Sequence, residues 1–304
     1  MSLTNSQLIK LTTAIDRSKL SYGGILDVIK SAGRKMSSKS VIIFSDIHCG
    51  SKVAICTDDV AITDQDNPYK PNKGQKALKA GWDYCIDEII QKPRFLVING
   101  EPVEGGHRRT IGAGVYSSSL VDQARDFKKL VKPIPYQEII FVRGSPYHVD
   151  IEGTPFEEVV AEMLDARKYR AYGGSGLTDF ECNVELFGKH INFTHHVGYA
   201  QWAQYRPTAI SRELTKMHFE HEARGFHTDV IVRSHVHYYC EVRFPNTKGF
   251  STPAWKFPDG FMYRHGLPSF PNIGCMEVIV ESNGRILVEP HLSEINFKPT
   301  ILHG

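Results

Sequence analysis

Short apolar runs alternate with amphipathic stretches through most of this chain. Val41-Ile42-Ile43-Phe44 is a continuous apolar run of the kind shown by a strand buried on both sheet faces. Similar runs predict strands at Arg94–Ile98 and Glu138–Val142. Between and after them, apolar positions recur at helical spacing. Leu78, Trp82, Cys85 and Ile89 predict a helix over about 75–91, and a second falls near 119–131. Phe156, Val159, Val160 and Met163 mark a third over about 155–167. This βαβ rhythm predicts an α/β fold with strands packed between helical layers. The second half turns to β, with strands expected at Glu181–Leu186, His190–Thr194, Asp229–Val232, Cys240–Phe244, Cys275–Glu281 and Arg285–Glu289. Asn283-Gly284 between the last two is a hairpin signal, and a helix at about 208–224 interrupts the series.

Upstream of the first strand, Leu8, Leu11 and Ile15 form one stripe and Ile25, Leu26 and Ile29 another, around Ser21-Tyr22-Gly23-Gly24. Residues 1–38 are therefore expected to form a short helical extension, either packed on the main domain or reading DNA as a helix-turn-helix. The Ser-rich stretch Met36–Ser40 reads as a linker, which leaves 39–304 as the main domain. The polar loop Asp58–Lys73 is long enough for a functional surface or local disorder.

Composition narrows the partners. Hydrophobic residues are 41% and charged residues 23%, ordinary for a globular protein, and the net charge of +2 does not by itself argue for nucleic acid. No apolar stretch approaches the roughly 18 residues of a membrane helix, and no signal-peptide core opens the chain. The six cysteines lack CxxC spacing, so a reducing cytoplasm is the expected location. The fourteen histidines are unusual, and they cluster where strands end.

The first strand runs into Asp46-Ile47-His48 and the second into Gly100-Glu101-Pro102-Val103-Glu104-Gly105-Gly106-His107. The third gives Gly144-Ser145-Pro146-Tyr147-His148, the strand at 190–194 gives His195-His196, and the strand at 229–232 gives Ser234-His235-Val236-His237. In open α/β sheets, sites form outside the carboxyl ends of strands. One strand-end histidine is usually structural, but five successive acid and imidazole clusters point to one shared site. Carboxylate and imidazole together suit borderline divalent metals.

This order of motifs resembles the calcineurin-like metallophosphoesterases over roughly residues 40–290. The resemblance implies a two-layer β-sandwich flanked by helices, two divalent metals and hydrolysis of phosphate esters. By position, it implies that Asp46, His48 and His237 bind the first metal. His235 and one of His195 or His196 would bind the second, with Glu101 bridging. Mn2+ is the expected ion, with Fe, Zn, Ni or Mg as alternatives. Strand alternation puts Ile191, Phe193 and His195 on one face, favouring His195.

Two departures stand out. The bridging Asp of the family is here Glu101, one methylene longer, and the Asn of its third motif is absent from Gly144-Ser145-Pro146-Tyr147-His148. The second metal is therefore expected to bind more weakly, and Glu101→Asp to tighten it. His148 is a candidate general acid, a ligand or a plain loop residue. Asp46 and Glu101 complete the candidate catalytic set with it.

His107, Arg108 and Arg109 are candidates to hold a substrate phosphate, or form a solvated basic loop. Glu104 is a candidate to orient a ligand from behind, or a surface carboxylate. Tyr199, Trp202, Tyr205 and Arg206, with Trp255, Phe257, Phe261, Tyr263 and Arg264, read either as stacking groups for nucleobases or as core. The expected activity is a metal-dependent phosphodiesterase or nuclease acting on nucleic acid or nucleotides. The alternatives are a phosphomonoesterase, as in protein phosphatases, and a weakly catalytic binding module.

Overall fold

Strand β1 (Ser38–Phe44) shows why the apolar runs are continuous. Ile42 and Phe44 face a helical layer, and Val41 and Ile43 face a second sheet, all fully buried. The computed structural model describes residues 37–63, 68–89, 92–106, 113–146, 150–151, 154–171, 174–200, 202–264 and 271–295. The expected N-terminal extension lies almost wholly outside them. Ser38–Ser40, expected as linker, instead extend β1 and pair with Ile279–Glu281.

In chain order β1 is followed by α1 (Lys73–Asp87), β2 (Phe95–Asn99), α2 (Leu120–Val131) and β3 (Glu138–Val142). Next come the short strands β4 (Asp150–Ile151) and β5 (Thr154–Pro155), α3 (Phe156–Met163), β6 (Tyr169–Ala171), β7 (Gly174–Gly176) and β8 (Thr178–Asp179). The second half holds β9 (Glu181–Leu186), β10 (Lys189–Thr194), α4 (Arg206–Arg224), β11 (Val230–Arg233), β12 (Cys240–Arg243) and β13 (Lys248–Ser251). A short helix α5 (Gly260–Arg264) and the hairpin β14 (Ile273–Glu281) and β15 (Ile286–Ser293) close the series.

Two sheets form the centre, in the orders β15-β14-β1-β2-β3-β8 and β12-β13-β11-β10-β9. β1, β2, β3 and β8 are mutually parallel, as are β10, β11 and β13, while β14, β15, β9 and β12 pair antiparallel. Between the sheets lie Val41, Ile43, Val97 and Val142 from one and Val184, Ile191, Phe193 and Phe250 from the other. The outer face of the first sheet packs on the helices through Trp82, Phe127 and Val160, and that of the second on α4 through Ile210, Leu214 and Ile231. The fold is the expected α/β arrangement, a two-layer β-sandwich flanked by helices.

Local chemistry sets the boundaries. Asn72 caps α1 by accepting from the Gln75 amide at 3.0 Å, and the Gln75 side chain accepts from the Asn72 amide at 3.1 Å, so the helix starts at Lys73 rather than 75. The described ends of the 58–73 loop are tied down: Val60 pairs with Tyr69, and Thr63 Oγ1 donates to Asp122 at 2.6 Å. Among the described residues no helix is long and apolar enough to cross a membrane.

Candidate metal centre

Parallel pairing of β1 with β2 and of β10 with β11 brings the carboxyl ends of these strands, and the loops after them, to one edge of the sandwich. The loops are then knitted by backbone bonds. Ile47 and His48 amides donate to the Glu101 carbonyl at 3.0 and 2.9 Å, and the Ser234 amide donates to the His195 carbonyl at 2.8 Å. The turns are tight enough to need left-handed backbone: Asp46 (φ 49°), His48 (52°), Glu101 (54°), His235 (73°) and His237 (57°) all adopt it. Such conformations are uphill for residues with a Cβ and concentrate at functional sites. Gly100 (φ 86°) has no alternative, since a Cβ there would sit 2.2 Å from His195 Nδ1.

Two ligand groups result. Asp46, His48, Glu101 and His237 each offer one atom within 4.8 Å of the others, and Glu101, His195 and His235 do the same. Glu101 belongs to both, with Oε2 2.8 Å from His48 Nε2 and Oε1 3.3 Å from His195 Nε2. Asp46 Oδ1 lies 3.2 Å from His237 Nε2 and 3.9 Å from His195 Nε2. Yet Asp46 Oδ1 and His195 Nε2 are buried and make no properly directed hydrogen bond. Carboxylate and imidazole atoms that converge in this way suit a shared divalent ion.

The surroundings orient these rings. His195 Nδ1 lies 2.7 Å from the Asn99 carbonyl, which only accepts, so Nδ1 carries a proton and Nε2 faces Glu101. His48 Nδ1 is 2.7 Å from Glu104 Oε2, and Glu104 is in turn held by Lys256 at 2.9 and 3.1 Å. Glu104 is thus buried behind His48 and is not a surface carboxylate. Ser45 Oγ and the His235 amide both donate to Asp46 Oδ2, at 2.5 and 3.2 Å. His235 Nδ1 lies 3.4 Å from Ser145 Oγ.

Charge follows the same pattern. Burial pushes Asp46 up, but the imidazoles of His237 and His195 more than offset this and hold it below the usual carboxylate range. Burial and Lys256 push His48 down, but Glu101 and Glu104 outweigh them and raise it to about 9. Burial lowers His195, and Glu101 and Asp46 carry it likewise up to about 9. His235, where burial dominates, is pushed down to about 4. Burial raises the Glu157 carboxyl to about 7.

A pH dependence of the ion-free protein follows. A ring raised above its ordinary 6.5 stabilises the fold fully below that value and loses the contribution as pH climbs through about 9. The melting temperature of chelator-treated protein is expected to fall across that interval. Excess divalent ion is expected to reverse the slope, because deprotonation frees the ring nitrogens as ligands. An ion-free melting temperature that is flat from about 6.5 to about 9 would show that the two rings are not protonated.

Of the other expected residues, His196 is exposed and stands outside both groups, its ring 4.1 Å from that of His235. Strand alternation through Thr194 turns it away from the face that His195 occupies. Trp202 is 64% exposed beside Tyr205 at 57%. The Arg206 guanidinium stacks on the Tyr238 ring at 4.4 Å, so it is not simply free for phosphate. Trp255, grouped with the stacking aromatics, is wholly buried against Trp82 with ring centroids 4.8 Å apart, and is core. His148, His107, Arg108 and Arg109 lie outside the described residues. Sequence reasoning missed Glu157 and Lys256, because nothing local marks a charged residue that will be buried.

Comparison with solved structures finds several that are similar to this chain at low sequence identity. Similar solved structures include Vps29 from Entamoeba histolytica, determined with zinc, at 11% identity and TM-score 0.41 over 83% of this chain and 97% of that one. They also include an archaeal phosphodiesterase (13%, 0.39, 83% and 99%) and a putative 5'-nucleotidase from Staphylococcus aureus (12%, 0.42, 87% and 56%). No protein-family model and no curated protein matches the sequence.

Proposed function

We propose that the protein hydrolyses phosphate esters at a site for two divalent ions, with Mn2+ the preferred metal. The observation that carries this reading is the sharing of Glu101 between two groups of ligand atoms. A pair of divalent ions supplies positive charge to phosphate oxygens and acidifies water. The chain's own part is to hold that pair. Asp46 and Glu101 bring the compensating negative charge. His48, His195, His235 and His237 set the geometry without adding more, and the rings fixed by Glu104 and Asn99 present one nitrogen each. Burial of Asp46, His48, Glu101 and His195 keeps water from competing for these atoms.

The substrate we favour is a phosphodiester of a nucleotide or nucleic acid. Trp202 and Tyr205, exposed on the turn that leads from the His195 strand end into α4, support this reading, since bases stack on such rings. Chelation should abolish turnover of a generic chromogenic diester, and Mn2+ should restore it best. Full activity in excess chelator, with no metal left by elemental analysis, would sink the proposal. On an oligonucleotide, Trp202→Ala is expected to raise KM roughly tenfold, in line with about 1–3 kcal/mol per stacked base. The small diester should be nearly unaffected. Equal effects on both substrates would remove the stacking role, and preferred turnover of a monoester would favour the phosphomonoesterase reading.

A further inference from the structure

We infer that Glu157, in the first turn of α3, is a positioning residue that fixes the Glu101 carboxylate between the two ligand groups. The inference rests on the reading of Glu101 as a shared ligand. Glu157 is fully buried, and no substrate-facing role is open to it. Its Oε1 accepts from the Glu101 amide at 3.1 Å and from the Gly144 amide at 3.1 Å, while Oε2 accepts from the Gly144 amide at 3.0 Å. One carboxylate therefore ties the ends of β2 and β3 together.

Position matters here because Glu101 sits at φ 54°, where its backbone would relax if released. The direction of its Cα–Cβ bond, and with it the reach of both oxygens, depends on that angle. Gly144, held by the same Glu157, forms the wall behind the Glu101 side chain: a Cβ there would lie 2.6 Å from Glu101 Cγ. The next amide, that of Ser145, donates to Glu101 Oε1 at 3.3 Å, the oxygen turned towards His195. Ser145 offers this third strand end only a weak side-chain ligand, so the segment acts by shaping Glu101. Glu157 is what holds it in place to do so.

The test is a calorimetric Mn2+ titration of the full chain as wild type, Glu157→Gln and Glu157→Asp. Folding is checked by circular dichroism. Glutamine keeps the size but sets an NH2 group against one of the two backbone donors. It is expected to weaken the ion held by Glu101, His195 and His235 roughly tenfold to a hundredfold. The four-ligand group should change much less, and aspartate should fall between. A merely structural role would lower the melting temperature and leave the ratio of the two affinities alone. Unchanged affinities, or an equal fall in both, overturn the role of Glu157 while leaving the ion sites standing. No ion bound by the wild type overturns the ion-site reading itself. Should the glutamine variant not fold, the aspartate variant, which keeps the charge, decides by the same ratio.

Discussion

Glu101→Ala is expected to bring hydrolysis down by about 10^2–10^4-fold and to leave no more than one ion bound. Losing a single outer partner of a metal ligand costs about 10–100-fold in affinity or activity, and this change takes an inner ligand from two groups at once. The remaining sets are unequal. Asp46, His48 and His237 still offer a carboxylate and two imidazoles, whereas His195 and His235 keep no carboxylate. In the natural protein the same imbalance should appear as one tight and one weak ion. Glu101→Asp, expected from the sequence to tighten the weak one, now points the other way. With Oε2 at 2.8 Å from His48 and Oε1 at 3.3 Å from His195, the longer arm already spans both, and a shorter one draws the oxygens back. Metal titration by calorimetry on all three proteins decides this. Two ions bound tightly by Glu101→Ala would show that Glu101 is not shared.

The polar strand ends were legible because each follows a strand whose apolar run is unmistakable. Parallel pairing then carries strand ends to the same edge, so Asp46, His48, Glu101, His195, His235 and His237 meet without any further signal. Alternation also pointed to His195 rather than His196 as the ring turned towards Glu101. What stayed hidden depends on contacts distant in sequence. The strands β4 to β8 are two or three residues long, and runs such as Gly174–Gly176 have no periodicity to read. β13, Lys248-Gly249-Phe250-Ser251, is likewise too short and mixed to stand out. Trp202 and Trp255 belong to equally aromatic stretches, yet one is 64% exposed and the other 0%, because only Trp255 follows a strand into the space beside Trp82 and Phe44. Glu157 and Lys256 look like ordinary helix and loop charges until the fold closes over them.

Lys256→Met is expected to be the most destabilising single change near the site, at about 3–5 kcal/mol. Lys256 is 5% exposed and lies between Glu104, which is fully buried, and Asp259 at 3.0 Å. Burial alone would lower the ammonium, but Glu104 and Asp259 together hold it above its usual range. Methionine fills similar space and removes the charge that faces Glu104, which keeps His48 at 2.7 Å. Asp259 still caps α5 by accepting from the Met262 amide at 2.9 Å, so the loss should centre on Glu104 rather than on that helix. Adding Glu104→Gln to Lys256→Met removes the carboxylate that Lys256 neutralised and should recover part of the stability. Urea unfolding of the ion-free wild type, both single variants and the double variant measures the coupling. If the double variant is as unstable as the sum of the singles, Lys256 and Glu104 act independently. If stability returns but His48 no longer supports tight binding of the first ion, the buried chain from Asp259 through Lys256 and Glu104 serves the metal site as well as the fold.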